Sequence, residues 1–227
     1  MGIRSGLSAI AWMNQDRGTD MISFGSELGT VVRRLVPATA RAVGLAALAS
    51  GALFAPAPAE ARENSFIQTA VSSPPPSGAR QLCRQYTWAC SSKRSVVLTS
   101  QQEMQIVNRV NRRVNATTRE VTDQSQYRTR ERWALPTSLG GDCEDFALLK
   151  KRDLIRAGID PSKLLIATVL DRQRNAHAVL VYRSASGDLV LDNLTNRIKP
   201  WSDTRYFFLR MQDPRKPSSW VGVYGRS

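Results

Sequence analysis

The central part of the chain carries apolar residues at helical spacing. Ser100 and Glu103 have the spacing of a capping box, which marks the start of a helix. Three valines then fall on one face of a helix that we expect to run to about Asn115. These valines are Val107, Val110 and Val114.

A second helix is predicted over residues 143–157. Gly158 stands at the position that commonly follows a helix end, and Asp160-Pro161 marks the turn beyond it. The clustered apolar residues are Ala147, Leu148, Leu154 and Ile155. The run Lys150-Lys151-Arg152 interrupts this pattern, where a helix packed on a sheet is expected to be more apolar.

Three later runs are rich in leucine and β-branched residues, which indicates strands. The predicted strands cover residues 163–170, 176–183 and 188–192. A loop at 184–187 joins the last two. We expect an extended arm over 65–80 and a loop with a short helix over 117–132. Helices followed by an antiparallel sheet predict an α+β fold.

The first 61 residues have the features of a secretory signal peptide. An apolar run from Ala42 to Ala55 follows several arginines and leads to the small-residue exit Ala59-Glu60-Ala61. The run is shorter than the about 20 apolar residues that span a membrane. We therefore expect a signal peptide at 1–61 and one domain at 62–227, with no transmembrane segment after signal removal and a periplasmic or secreted location.

The chain is strongly basic, with a formal net charge of +13. Such a charge suits anionic cell-envelope polymers, lipid headgroups or an acidic protein partner. Nucleic acid is not expected as a partner, because the basic residues are scattered, no nucleic-acid motif is present and export removes the usual target.

Three cysteines have different expected roles. Cys83 and Cys90 lie close together in sequence, and an oxidising compartment favours a disulfide between them. Cys143 is then left over, either as a buried spectator or as a reactive thiol.

The only histidine of the chain, His177, favours the reactive role. Cys143 begins a predicted helix, His177 lies on a predicted strand, and Asp192 lies on the next strand. A cysteine nucleophile needs an imidazole to share its proton and a third group to orient the ring. The three residues are therefore candidates for a catalytic triad.

The predicted hairpin brings His177 and Asp192 to one face of the sheet. If the loop 184–187 closes the turn, Arg183 pairs with Asp188, and Asp192 is the diagonal neighbour of His177. A two-residue loop at 184–185 would place them directly opposite, whereas a slip by an odd number would separate them.

Acidic residues surround the candidate nucleophile. The helix start and a protonated His177 favour a thiolate at Cys143, whereas neighbouring carboxylates raise its pKa. Two uses of the acids remain open: Asp142 caps the helix, or the cluster holds a divalent cation such as calcium. The acids are Asp142, Glu144 and Asp145.

Three ordered motifs resemble the bacterial transglutaminase-like cysteine proteinases. They are Gly141-Asp142-Cys143-Glu144-Asp145-Phe146-Ala147, His177-Ala178-Val179-Leu180 and Leu189-Val190-Leu191-Asp192-Asn193-Leu194. The resemblance implies a papain/transglutaminase-like fold in which the nucleophile-bearing helix packs on an antiparallel sheet. It also implies Cys143, His177 and Asp192 as the triad, and Asp142 and Glu144 as calcium ligands.

The resemblance implies partners as well. The family includes a periplasmic protease that clips a large surface adhesin, so a protein substrate of that kind and a regulatory receptor in the inner membrane are expected. We therefore expect the chain to be an exported cysteine endopeptidase. Two alternatives remain: a transglutaminase-type acyl transfer, in which an amine replaces water, and an inactive module that binds the envelope.

Overall fold

The computed structural model describes residues 65–92 and 97–226. The predicted signal peptide lies outside the described residues. Within them, every helix is too short or too polar to cross a membrane.

Four α-helices lie in the described part of the chain, and two of them are long. They are α1 (Leu82–Gln85), α2 (Ser100–Thr117), α3 (Asp123–Tyr127) and α4 (Cys143–Arg156). Short 3-10 turns cover Gly78–Gln81, Thr87–Cys90, Pro161–Lys163 and Trp201–Asp203. Both long helices agree with the prediction to within two residues.

The capping box of α2 differs from the predicted one. Thr99 is the N-cap, and it exchanges hydrogen bonds with Gln102 instead of Ser100 with Glu103. Glu103 turns into the core, where it accepts hydrogen bonds from the Tyr182 hydroxyl at 2.6 Å and from Lys163 Nζ at 2.6 Å. The observed box therefore begins one residue earlier than predicted, and Glu103 is buried instead of capping the helix.

Seven strands form one antiparallel sheet within the described residues, in the order β1-β7-β6-β2-β3-β4-β5. They are β1 (Ser72–Ser73), β2 (Leu164–Leu170), β3 (Ala176–Ser184), β4 (Gly187–Leu191), β5 (Lys199–Pro200), β6 (Phe207–Asp213) and β7 (Lys216–Arg226). The three predicted strands are β2, β3 and β4. The C-terminal hairpin of β6 and β7 was not predicted.

The sheet separates two apolar clusters. On one face, α2 and α4 pack against strand residues such as Ile166, Leu180 and Tyr182. On the other face, Ile67 of the N-terminal arm packs with Val179, Val181 and residues of β6. Because successive strand residues point to opposite faces, the apolar runs are buried on both sides. Helices and an antiparallel sheet in this arrangement confirm the α+β fold.

A buried glutamine of β6 ties the N-terminal turn to the helix and the sheet. Gln212 Oε1 accepts hydrogen bonds from Lys151 Nζ at 2.7 Å and from the Ile166 amide at 3.1 Å. Its amide group donates to the carbonyl oxygens of Ala89 at 3.1 Å and Pro217 at 2.8 Å. Each polar atom of this side chain therefore has a partner in the core, which offsets its burial.

Cys83 and Cys90 form a disulfide, with an S–S distance of 2.07 Å, while Cys143 is free. The bridge closes the turn whose Ala89 carbonyl accepts from Gln212. The predicted pairing is therefore present.

Candidate active site

Two glycines determine the backbone path just before α4. Gly140 has φ +126°, and a Cβ at this position would lie 2.1 Å from the Arg119 carbonyl oxygen. A Cβ on Gly141 would lie 2.5 Å from a carboxylate oxygen of Asp145. Hydrogen bonds from Gly141 N to Arg119 O and from Val121 N to Gly141 O hold this segment against residues 119–121. The glycine pair therefore allows a close chain crossing immediately before Cys143.

Cys143 is the first residue of α4 and is partly buried. Its Sγ lies 3.2 Å from Glu144 Oε2, and the backbone N–H of Ala178 on β3 also hydrogen-bonds to it. Burial and the negative charge of Glu144 raise the pKa of the Cys143 thiol, against the contribution of the Ala178 amide. The contact with Ala178 places the thiol beside the residue that follows His177.

His177 and Asp192 are joined by a hydrogen bond of 2.9 Å between Nε2 and Oδ1. The strands β3 and β4 pair Arg183 with Asp188, which is the predicted register. Pairing with β4 ends at Leu180, and β3 continues alongside β2, where His177 faces Val169. Asp192 follows the last residue of β4 and reaches the imidazole from that strand end.

Asp192 has three further hydrogen bonds that fix its position. The Tyr206 hydroxyl donates to Oδ2 at 2.6 Å, and the Leu194 amide donates to Oδ1 at 3.1 Å. Asn115 of α2 donates to its backbone carbonyl at 2.9 Å. Burial raises the pKa of Asp192, but the hydrogen bonds and charge of His177, followed by Tyr206, lower it overall. The carboxylate is therefore held ionised beside the imidazole.

Tyr206 is a site residue that the sequence analysis missed. Its ring meets the His177 ring edge-on, with centroids 5.9 Å apart, and burial and Asp192 raise the pKa of its hydroxyl. It also lines a cavity of about 370 Å³ together with Arg172, Lys199 and the exposed Leu194. Tyr206 lies in a stretch that was not assigned to any element, so the sequence carried no signal for its role.

Three carboxylates converge beside the start of α4. Oxygen atoms of Asp123, Asp142 and Asp145 lie within 4.8 Å of one another. Asp142 Oδ2 accepts from the Asp123 amide at 3.0 Å, and Asp145 Oδ1 accepts from the Ala134 amide at 2.9 Å. Each of the three acids keeps one buried oxygen without a hydrogen-bond partner among the described residues. Calcium prefers oxygen ligands of this kind, and these carboxylate oxygens have no other partner among the described residues.

The three carboxyl groups of this cluster are buried close together and repel one another when they are ionised. Burial raises the pKa of Asp145 to about 7, with a further contribution from Asp142. Burial and the charge of Asp142 also raise the pKa of Asp123. A bound cation would offset this repulsion.

The sequence-predicted acids divide between two environments. Asp142 belongs to the cluster, and although it occupies the N-cap position of α4, its side chain makes no capping hydrogen bond. Glu144 lies instead at the Cys143 thiol, where burial and the neighbouring Asp142 raise its pKa to about 9. Asp123 was not predicted as a member, because its place beside Asp142 depends on how the 117–132 segment folds back.

Comparison with known proteins gives a family. The family model of the bacterial transglutaminase-like cysteine proteinases (BTLCP) matches residues 69–227. A search of curated proteins found no match.

Solved structures of LapG from Legionella pneumophila also match. The calcium-bound form has 24% sequence identity and a TM-score of 0.46, over 55% of this chain and 71% of that chain. The EGTA-treated form has 24% identity and a TM-score of 0.39, over 48% and 62% of the two chains. A third LapG structure has 25% identity and a TM-score of 0.41, over 49% and 65%.

The family match begins in the N-terminal arm and extends through the helix of Cys143 and the strands of the sheet. It covers more than half of the chain, including every residue of the site described above. The chain therefore belongs to the bacterial transglutaminase-like cysteine proteinase family and is a cysteine peptidase.

Proposed function

We propose that Cys143, His177 and Asp192 are the catalytic triad of an exported endopeptidase that cleaves a cell-envelope or surface protein. The observation that carries the proposal is the 2.9 Å hydrogen bond between His177 and Asp192, beside a free thiol at a helix start. Because Nε2 of the ring is bonded to Asp192, Nδ1 is the nitrogen left to exchange a proton with the thiol.

The proposed reaction passes through a thioester. His177 takes the thiol proton, and Cys143 Sγ attacks the peptide carbonyl carbon, so that the carbonyl oxygen becomes an oxyanion. The backbone N–H of Cys143 at the helix start donates to this oxyanion. As the C–N bond breaks, His177 gives the proton to the leaving amine. A water molecule, deprotonated by His177, then attacks the thioester and releases the acid and the thiol.

Asp192 keeps the imidazole in the orientation that this exchange requires. Its hydrogen bonds with Tyr206, Leu194 and His177 occupy both carboxylate oxygens. The fixed carboxylate selects the tautomer with the proton on Nε2 and stabilises the imidazolium when it forms.

Calcium is proposed as the ion of the acidic cluster. Asp123, Asp142 and Asp145 would hold it with the carboxylate oxygens that have no partner among the described residues. Glu144, whose pKa is raised by burial and by the neighbouring Asp142, is the adjacent fourth acid. When bound, calcium supplies positive charge that offsets the carboxylates next to Cys143 and so favours the thiolate.

Export is proposed from the leader at 1–61, and the mature domain would span 62–227. The substrate and the regulator are proposed from the resemblance: a large surface adhesin and an inner-membrane receptor. Acyl transfer to an amine is the second candidate function, since the same thioester would serve it.

The experiment compares cells that express the wild type with cells that express Cys143→Ala. N-terminal labelling and mass spectrometry of envelope and released proteins should find new protein N-termini only with the wild type. Amine incorporation or isopeptide cross-links in place of new N-termini would assign acyl transfer instead. Identical profiles from the two strains would indicate a module that binds without catalysis.

A further inference from the structure

A groove between α2 and α4, here called the α2–α4 groove, lies away from the proposed triad. Its volume is about 480 Å³, and its walls carry Arg109 and Arg113 from α2 and Arg152 and Arg156 from α4. At the helical rise of about 1.5 Å per residue, the two arginines of α4 are about 14 to 20 Å from Cys143 along the helix axis. The groove is therefore separate from the residues that would perform catalysis.

The four arginines form two pairs of like charge. Arg109 and Arg113 are four residues apart on α2, and Arg152 and Arg156 are four residues apart on α4. Side chains at this spacing are neighbours on one face of a helix, and like charges there destabilise it. The C-terminal end of α4 favours cations and accounts for part of the α4 pair. The same reason does not apply to Arg109, which lies two turns before the end of α2.

One carboxylate in the groove is shared by two of these arginines. Asp153 Oδ2 lies 2.7 Å from Arg113 Nη2, and Asp153 Oδ1 lies 2.9 Å from Arg152 Nη2. Arg109 and Arg156 are exposed, and neither has an ion-pair partner in the described part of the chain. Four arginines and one aspartate leave the groove with an excess of three positive charges. The groove is therefore complementary to an anionic partner.

The other lining residues favour a peptide as that partner. Guanidinium groups bind carboxylates and phosphates alike through paired N–H donors, so the arginines do not discriminate between them. Ile106, Val110 and Ala157 add apolar surface, which leucine-like side chains of a peptide can contact and a polyphosphate cannot. Asp153 repels a continuous run of phosphates, whereas a peptide has backbone N–H groups that can donate to a carboxylate.

The shape of the groove also favours a peptide over a membrane. Its volume lies within the range of about 300–1,000 Å³ that is usual for sites that enclose a ligand. A bilayer surface is flat on this scale and touches the residues that protrude most from a protein. An extended chain can instead enter a concave groove and present side chains to both helices.

We propose that the α2–α4 groove binds an extended acidic segment of a partner protein. Carboxylates of this segment pair with Arg109 and Arg156, and its apolar side chains contact Ile106. The segment docks at a distance from Cys143, so the partner is held on the peptidase without occupying the place of the scissile bond. This binding does not require catalysis.

The test measures binding in the full chain carrying Cys143→Ala. The probe is a short fluorescein-labelled peptide of alternating glutamate and leucine, followed by fluorescence anisotropy, and the same peptide with glutamine for glutamate is the probe control. Arg109→Gln/Arg156→Gln removes the two unpaired charges and should raise the Kd of the acidic peptide at least about tenfold. Arg84→Gln/Arg112→Gln removes the same charge from exposed positions outside the groove and should change Kd by less than about twofold.

Charge reversal and salt give two further readouts. Arg109→Glu/Arg156→Glu should lose the glutamate peptide and bind the corresponding lysine–leucine peptide, because the complementary charges are exchanged. Salt screens exposed charges, so an increase from about 50 to about 200 mM should weaken wild-type binding several-fold. The residual binding of Arg109→Gln/Arg156→Gln should depend less on salt.

Equal Kd values for Arg109→Gln/Arg156→Gln and Arg84→Gln/Arg112→Gln would show a response to overall charge and would overturn the docking site. Equal binding of the glutamine peptide would do the same. Phosphatidylglycerol vesicles or polyphosphate that bind through Arg109 and Arg156, without binding of the peptide, would assign the groove to a lipid or polymer instead. If the double variant does not fold, Arg109→Gln and Arg156→Gln alone should each raise Kd about threefold, and an unchanged Kd in both would contradict the proposal.

Discussion

The start of α4 and the His177–Asp192 pair face each other across one site, but their polar groups are satisfied to different degrees. At the pair, both oxygens of Asp192 accept hydrogen bonds, and its pKa is lowered despite burial. At the helix start, Asp123, Asp142 and Asp145 each keep a buried oxygen with no partner in the described part of the chain, and burial raises the pKa of Asp145 to about 7.

This difference indicates which of the two groups of residues is stable without a bound cation. The imidazole and its carboxylate need no further group to hold their arrangement. The acids beside Cys143 repel one another and raise the pKa of the thiol, so this half is balanced only with an added positive charge. The nucleophile is therefore the half of the site that a cation can regulate.

The largest expected effect comes from removing a member of either half. Cys143→Ala should abolish peptide cleavage, and His177→Ala should lower kcat about 10²–10⁴-fold, because proton exchange with the thiol and the leaving amine is lost. Steady-state cleavage of a released envelope protein measures both. Full activity in His177→Ala would show that the satisfied pair is structural.

Calcium removal should affect the acidic cluster at the start of α4 and leave the His177–Asp192 pair unchanged. EGTA should lower activity and the thermal midpoint, and calcium at 100 times its dissociation constant should stabilise the fold by about 2.7 kcal/mol. Asp123→Asn and the double variant Asp142→Ala/Glu144→Ala should remove this response. The exposed Asp203→Asn serves as the matched control and should respond like the wild type.

The Asp142 side chain makes no capping hydrogen bond in the structure, and a role as helix cap would give a different result. Asp142→Ala would then cost about 1 kcal/mol at every calcium concentration. A wild-type midpoint that does not change with calcium would exclude the ion from this cluster.

Tyr206→Phe tests the His177–Asp192 pair and should have a smaller effect than the substitutions above. It removes one hydrogen bond to a charged group, so we expect a loss of about 1.5–3 kcal/mol in the free energy of unfolding at pH 7. Tyr206 helps to lower the pKa of Asp192 below 3.8, which stabilises the fold above that pH and not below the folded-state pKa. The difference between variant and wild type should therefore shrink as the pH falls below about 3.8. Chemical denaturation at pH 7 and pH 3 measures it, and an equal loss at both would rule out this linkage.

Alkylation of Cys143 should show the smallest effect. Cys83 and Cys90 are paired, so iodoacetamide has one reactive thiol. Because burial and Glu144 raise the pKa of this thiol, the reaction should be several-fold faster with calcium than with EGTA. His177→Ala should slow it further. Mass spectrometry of quenched samples gives the rates, and calcium-independent alkylation would mean that the cluster and the thiol are not coupled.

The helix of Cys143, the hairpin of β3 and β4, and the register of that hairpin were predictable from the sequence. These features depend on local patterns: a glycine just after a helix end, apolar runs rich in β-branched residues and a short loop. The shared face of His177 and Asp192 followed from the register alone, since the side-chain period of a strand is two residues.

The C-terminal hairpin and the buried lysines show what local patterns miss. No strand was predicted over β6 and β7, and only their pairing makes them strands: β6 lies between β2 and β7, and β7 lies between β6 and β1. Lys150 and Lys151 interrupt the apolar pattern of α4, yet both are fully buried, because α4 is covered by α2 on one side and by the sheet on the other.

The sequence by itself determined the α+β class, the order of cysteine, histidine and aspartate, and the pairing of Cys83 with Cys90. Tertiary structure alone decided that Tyr206 holds Asp192, that Asp123 joins Asp142 and Asp145, and that Lys150 and Lys151 are buried. The physical reason is separation along the chain. Local propensity and strand register fix contacts between neighbouring elements. Contacts between distant segments depend on how the core closes around them, and no local pattern encodes that.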